Sequence, residues 1–336
     1  MTANSLLTGF DAVLADLDGV VYAGPNAIPG AIEALIGLAG ANVKLAYVTN
    51  NASRTPAQVA AHLRDLGAPA ADEQVVSSAQ AGAALLAQKV PAGSKVLVTG
   101  SHALAQEVQA LGMTVVESAT DIPDAVIQGF EPTLGWADLA EAAYAINAGA
   151  LWIATNTDMT IPRDRGIAPG NGTLVAAVRA AVGHDPLVAG KPESPLFHTA
   201  ATRLGASAAL VVGDRLDTDI LGGNKAGMAT ALVLTGVDSG ETALRACTAE
   251  RPDFIIDTLA ELYAPYPAVV LDGATVRCGA AAATVITGNA GARKVQISGT
   301  ATDTDAWRAA CAAWWAAAPS ADQATNPLLE WTGRTA

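Results

Sequence analysis

Residues 11–24 read DAVLADLDGVVYAG, and the rest of the chain is interpreted outward from them. Ala12 to Ala15 predict a short apolar strand, with Asp16 and Asp18 at its end, just before Gly19. Side chains two apart on an extended chain leave the same face, so both carboxylates point to one side of a sheet edge. A helix containing Pro29 to Leu38 follows, then the strand KLAYVTNN at 44–51 and a helix after Pro56 that fits VAAHLRDLG. Strand, helix, strand, helix predicts a parallel sheet, whose ligands meet the carboxyl ends of its strands.

The alternation restarts between about Val75 and Asp185, with strands in SKVLVTGS, MTVVES, DAVIQGF and ALWIATNTD and helices in ALAQEVQALG and WADLAEAAYAINAGA. The first pattern resumes with HDPLVAGKPESPLFHTAATRLG, the strand ASAALVVGDR, the helix LDTDILGGNKAG and the strand TALVLTGV. The simplest topology is one domain interrupted by another: a Rossmann-like α/β core over 1–74 and 186–263, and an inserted α/β cap over 75–185. Residues 264–336 hold three β-like runs, YPAVVLDGATVRCG, AAATVIT and ARKVQISG, and the helix DTDAWRAACAAWWAAA. That is too little for a large independent core, so a small α+β extension packed on the body is expected, with Trp307, Trp314 and Trp315 as its packing stripe.

Length and charge narrow the function. A chain of 336 residues predicts two or three folded units, and 51% hydrophobic against 15% charged residues excludes a disordered chain. The 19 Lys plus Arg against 32 Asp plus Glu leave a formal net charge of -13, a field that repels nucleic acid and anionic lipid. The uncharged stretch from Ala142 to Thr157 carries two asparagines and falls short of the roughly 20 residues a membrane span needs. Cys247, Cys278 and Cys311 form no C-x-x-C pair, and the N-terminus has no positively charged leader, so a reducing, cytoplasmic setting is expected.

Four short stretches carry chemistry. In DLDG, Asp16 can attack phosphorus and Asp18 can serve as acid and base, although a bare D-x-D reads equally as structural or metal-binding. In VTNN at 48–51, the Thr49 hydroxyl can meet a phosphoryl oxygen and the Asn50 and Asn51 amides can orient loop or ligand; alone, Thr-Asn after a strand is a turn or helix cap. In GKP at 190–192, Lys191 can neutralise charge on a transferring group. In VVGDRLDTD, Asp214, Asp217 and Asp219 crowd a strand end and would repel one another without a cation, and oxygen-only ligands suit Mg²⁺.

The ordered set DLDG, VTNN, GKP and GDRLDTD resembles the haloacid-dehalogenase (HAD)-like phosphatases over about residues 8–260, and ATNTDMTIP with PGNG looks like the inserted cap of their phosphoglycolate and nitrophenyl-phosphate subgroup. The resemblance implies Asp16 as nucleophile and Mg²⁺ ligand, Asp18 as general acid/base with its backbone carbonyl on Mg²⁺, Thr49 and Asn50 at the phosphate, Lys191 as charge neutraliser and Asp214 as a direct Mg²⁺ ligand. Asp219 would hold water or Lys191. Asn51, Asn156, Asp158, Arg163 and Arg165 are the polar candidates for substrate contact, the arginines either meeting a second anion or pairing with Asp164 at the surface. The implied activity is Mg²⁺-dependent hydrolysis of a small phosphomonoester through an aspartyl phosphate. Glycerol 3-phosphate ranks first, by similarity to actinobacterial members with a reduced acetyltransferase-like tail. Phosphoglycolate or a broad range of nitrophenyl, sugar and nucleotide phosphates comes next, and a non-catalytic phosphometabolite-binding regulator is the reading from a different class. The tail lacks a glycine-rich pyrophosphate loop and is expected to cover the body or make a homodimer contact.

Overall fold

The computed structural model describes residues 5–163, 165–287 and 293–332. It divides into two compact units, Met1–Leu45 with Ala206–Ala336, and Ala46–Gly205. β1 (Ala12–Ala15) is buried at all four positions, as a strand covered on both faces must be. The small hairpin of β2 (Tyr22–Ala23) and β3 (Asn26–Ala27) leads to α1 (Ala31–Gly40). Ala31, Ala34, Leu35 and Leu38 form the buried stripe of that helix at i, i+3, i+4 and i+7. β4 (Lys44–Thr49) sets out beside β1, where the Lys44 N–H donates to the Asp11 carbonyl at 3.0 Å.

The chain enters the second unit within β4, which pairs in parallel with β5 (Val75–Ser77). The intervening α2 (Pro56–Asp65) begins with a reciprocal Thr55/Gln58 capping box and Pro56 in its first turn. α3 (Ser78–Lys89) starts on a matching Ser77/Gln80 box. β6 (Lys95–Thr99), α4 (His102–Ala110), β7 (Thr114–Val116), β8 (Ala125–Gln128), α5 (Trp136–Asn147) and β9 (Leu151–Ala154) then alternate as the sequence predicts. They are followed by an antiparallel hairpin, β10 (Thr160–Arg163) with β11 (Gly166–Pro169), then α6 (Asn171–Val182), β12 (Leu187–Val188) and α7 (Pro195–Leu204). The sheet order is β12-β9-β8-β6-β7, all parallel. Alternate residues feed two cores, Val96, Ile127 and Ile153 on one face and Leu97, Val126 and Trp152 on the other. The hairpin has no counterpart in the sequence reading because Pro162 and Pro169 mark it as loop.

Back in the first unit, β13 (Ala209–Gly213) pairs in parallel with β1, with Ala12 opposite Ala209 and Ala15 opposite Val212. The expected helix over LDTDILGGNKAG is instead a wide turn, Leu216–Ile220, followed by the short α8 (Leu221–Lys225). β14 (Ala229–Val233), α9 (Gly240–Arg245) and β15 (Phe254–Ile256) complete a parallel run β15-β14-β13-β1.

The extension adds β16 (Val269–Asp272), β17 (Thr275–Cys278), β18 (Ala281–Thr287), β19 (Arg293–Ser298), α10 (Thr304–Ala317) and β20 (Leu328–Trp331). The run YPAVVLDGATVRCG breaks into two strands at Gly273, whose φ of 64° suits glycine. β20 pairs in parallel with β19 across the α10 crossover, a partner no local pattern announces. Trp307 and Trp314 pack in one core with Leu216, Ile220, Leu232 and Leu244, so the tryptophan stripe is packing and the extension shares the first unit's interior. Arg308, 5% exposed, donates from Nε to the Ile255 carbonyl at 2.8 Å, from Nη1 to Asp305 at 2.7 Å and from Nη2 to Glu261. These bonds offset the desolvation cost of burying the guanidinium. Among the described residues no helix is long and apolar enough to cross a membrane.

Candidate active site

In the first unit the parallel pairing of β1 with β13 brings two strand ends side by side. Asp16 leaves β1 with its N–H donating to the Val212 carbonyl at 2.9 Å, and Asp214 leaves β13. Carboxylate oxygens of Asp16, Asp214 and Asp219 lie within 4.8 Å of one another, and Asp214 and Asp219 are buried. Asp219 reaches the cluster from the wide turn, which is closed by its own N–H to the Arg215 carbonyl at 3.0 Å and by the Arg215 N–H to Asp219 Oδ2 at 3.2 Å.

Three carboxylates held this close repel one another, and a hard divalent cation is the partner that hard oxygen donors favour. The backbone around them leaves no room to spread. A Cβ on Gly19 would sit 2.2 Å from Asp214 Oδ2, one on Gly236 2.0 Å from the same atom, and one on Gly213 2.1 Å from the Asp219 Cβ. Gly19 also has a φ of 77°. These residues therefore fit a bound cation, with Asp214 wedged between two glycines.

Of the three aspartates crowded at the end of β13, Asp214 and Asp219 lie in the cluster, together with Asp16, which the resemblance also puts on the metal. Asp217 turns outward and accepts a forked pair from Arg215, Nε at 3.0 Å and Nη2 at 2.7 Å, which holds the Arg215 guanidinium above its usual pKa. Asp18 is exposed, in the turn where the Gly19 N–H donates to the Tyr22 carbonyl at 2.8 Å.

A further segment, Thr235–Asp238 after β14, was not singled out by the sequence. Thr235 Oγ1 donates to the Gly19 carbonyl at 2.7 Å, and the Val237 N–H donates to Asp214 Oδ2 at 2.8 Å. Asp238 donates its N–H to the Asp214 carbonyl at 3.0 Å and accepts the Leu216 N–H on Oδ2 at 2.7 Å. The signal was available: TGVD, like DLDG, follows an apolar parallel strand at its carboxyl end.

In the second unit Asn50 is the centre. Its Nδ2 donates to Asp158 Oδ1 and Oδ2 and to the Lys191 carbonyl, each at 3.1 Å, while its Oδ1 accepts the Lys191 N–H at 2.8 Å. Asn156 Nδ2 donates to the Asn50 carbonyl at 2.8 Å, and Asn171 Nδ2 to the Asn156 carbonyl at 2.7 Å. Lys191 and Asn156 are buried. Thus VTNN, GKP and the TNTD loop, far apart in sequence, are joined through one amide. Gly190 permits this, since a Cβ there would lie 2.5 Å from the Thr155 carbonyl oxygen and 2.6 Å from Asn50 Oδ1.

Thr49 Oγ1 accepts the Asn51 N–H at 3.2 Å, and Asn51 Oδ1 accepts the Ser53 N–H at 2.8 Å, an Asx turn leading into α2. Gly170 and Gly172 serve close approach at the start of α6: Cβ atoms there would lie 2.3 Å from the Asp158 and 2.2 Å from the Thr157 carbonyl oxygens. Arg165 is exposed; the Arg163 side chain and Asp164 lie outside the described residues.

Residues 13–114 match the family described as haloacid dehalogenase-like hydrolase, and residues 188–262 one described as HAD-hydrolase-like. A D-glycerol 3-phosphate phosphatase of Mycobacterium tuberculosis is 50% identical over 259 residues, which is 77% of this chain and 72% of that protein. A 5'-nucleotidase of Bacillus subtilis is 38% identical over 259 residues, 76% of this chain and 98% of that one. The crystal structure of a glycerol phosphate phosphatase from M. tuberculosis in complex with magnesium superposes with a TM-score of 0.85 at 43% identity, covering 99% of this chain and 96% of that chain.

Proposed function

The chain belongs to the haloacid dehalogenase-like hydrolases, and on that premise we propose that it is a Mg²⁺-dependent phosphatase of small phosphorylated metabolites whose first substrate is glycerol 3-phosphate. The observation that carries the reading is the convergence of Asp16, Asp214 and Asp219 at the carboxyl ends of adjacent parallel strands. Bound Mg²⁺ would draw charge from the phosphoryl oxygens and ease the approach of an anionic ester to a chain of net charge -13.

In this reading the Asp16 carboxylate attacks phosphorus while the ester P–O bond breaks, and Asp18 gives its proton to the departing alkoxide. Asp18 then takes a proton from water, whose oxygen displaces Asp16 and releases inorganic phosphate. The Thr49 hydroxyl donates to a phosphoryl oxygen, and the Lys191 ammonium offsets the charge gathered there. Asn50 holds the backbone of Lys191 for that task. Residues 75–185 act as the cap that excludes bulk water during transfer.

The 50% identity to a glycerol 3-phosphate phosphatase supports the substrate, and the 38% identity to a 5'-nucleotidase supports nucleoside monophosphates as the second reading. Initial rates on glycerol 3-phosphate, phosphoglycolate and a nucleoside monophosphate, with Mg²⁺ and with EDTA, test both parts. Glycerol 3-phosphate should show the highest kcat/KM, and EDTA should abolish turnover. A higher value for another ester overturns the substrate, and full activity in EDTA overturns the metal dependence.

A further inference from the structure

We propose that the Thr235–Asp238 turn sets the cation affinity of the Asp16, Asp214 and Asp219 cluster, and that the C-terminal extension holds this turn in place through α9. The inference rests on the cation reading of that cluster and gives the extension a role in it.

The turn hydrogen-bonds to both acidic loops: Thr235 to the carbonyl of Gly19, Val237 to the Asp214 carboxylate, and Asp238 to both the Asp214 carbonyl and the Leu216 N–H. Its outer side is open. Val237 is 66% exposed, and a cavity of about 400 Å³ lined by Val237, Asp238, Arg245 and Ala324 opens on one side. A turn packed closely only where Gly236 meets Asp214 keeps its position there largely through its hydrogen bonds and through the element that follows it.

That element is α9, and the extension grips it at both ends. At its start, Gly240 lies so near Trp307 that a Cβ would fall 2.2 Å from the indole Cγ. At its end, the Trp315 Nε1–H donates to the Leu244 carbonyl at 3.3 Å and the Thr325 N–H to the Arg245 carbonyl at 2.7 Å. Trp307 is itself set by its Nε1–H to the Ala301 carbonyl at 2.8 Å. Three like charges must be held at a fixed spacing to take a cation, so a shift of Asp214 lowers affinity without touching the nucleophile. Asp238 is thus a positioning residue for Asp214.

Isothermal titration of MgCl₂ into the full-length chain tests this without reference to turnover. Asp238→Ala should bind Mg²⁺ about ten-fold more weakly, the equivalent of about 1.4 kcal/mol. Asp238→Asn keeps a carbonyl acceptor for the Leu216 N–H and should stay within about two-fold of wild type. Trp307→Leu, with its fold verified by near-ultraviolet circular dichroism, should weaken binding about three-fold. Asp238→Ala with wild-type affinity overturns the proposal. Equal weakening by Ala and Asn also overturns it, because the charge rather than the hydrogen bond would then be acting. A wild-type chain that takes up no Mg²⁺ defeats the cation reading itself, which separates the two failures.

Discussion

The carboxylate cluster of the first unit and the Asn50 centre of the second are built by opposite means. The cluster gathers like charges from separate loops, so its side chains repel one another and the surrounding chain holds them in place: parallel strand ends, glycines on either side of Asp214, and the Thr235–Asp238 turn. The Asn50 centre gathers complementary groups, one neutral amide between a carboxylate, a carbonyl and an N–H, and so holds itself together. The first arrangement has latent binding energy for a cation. The second needs no ligand to persist.

Substitutions should separate the two. Asp16→Asn keeps shape but removes the nucleophilic charge, and kcat should fall about 10⁴-fold or more with an unchanged melting temperature; retained phosphatase activity on glycerol 3-phosphate would sink the mechanism. Gly236→Ala places a methyl against Asp214 and should weaken Mg²⁺ binding about 100-fold in a calorimetric titration while secondary structure survives. Asn50→Ala removes the hub instead, and should lower unfolding free energy by about 2 kcal/mol in urea with Mg²⁺ affinity left within about two-fold. If Asn50→Ala were to abolish Mg²⁺ binding and Gly236→Ala only stability, the contrast drawn here would be reversed.

The smallest effect lies at the other end of β1. Asp11 accepts the Ser207 N–H and hydroxyl at 2.8 and 2.7 Å and the Ala208 N–H at 3.0 Å, and these bonds bring its pKa down to about 2. A folded-state pKa below the unfolded value of about 3.9 means stability present above about pH 4 and lost as pH falls toward 2. The melting-temperature gap between wild type and Asp11→Asn should therefore narrow across that interval. A gap that stays constant from pH 5 to pH 2 would show that these bonds are not what Asp11 contributes.

Reading from sequence worked where one local rule decides. AVLA before DLDG reads as a buried strand, Pro56 announces the start of α2, and Trp307 and Trp314 at helical spacing announce an apolar face. It was incomplete where two distant segments meet. Asp217 and Asp219 are alike in sequence, yet the wide turn sends one to Arg215 and the other to the cluster. Asn156 and Asp158 were legible as polar loop residues, but nothing local tells that both bond to Asn50, more than a hundred residues away.

The sequence by itself determined the strand–helix alternation, the placing of Asp16, Thr49, Lys191 and Asp214 at strand ends or turns, and the chemistry those side chains offer, because each depends on period, propensity and residue type. Only the tertiary structure decided which carboxylates share a site, that Asn50 joins three segments, and that Thr235–Asp238 and the extension bear on Asp214. Those depend on which strands pair and how closely the backbone can approach, and a strand carries in its own residues no record of its neighbour.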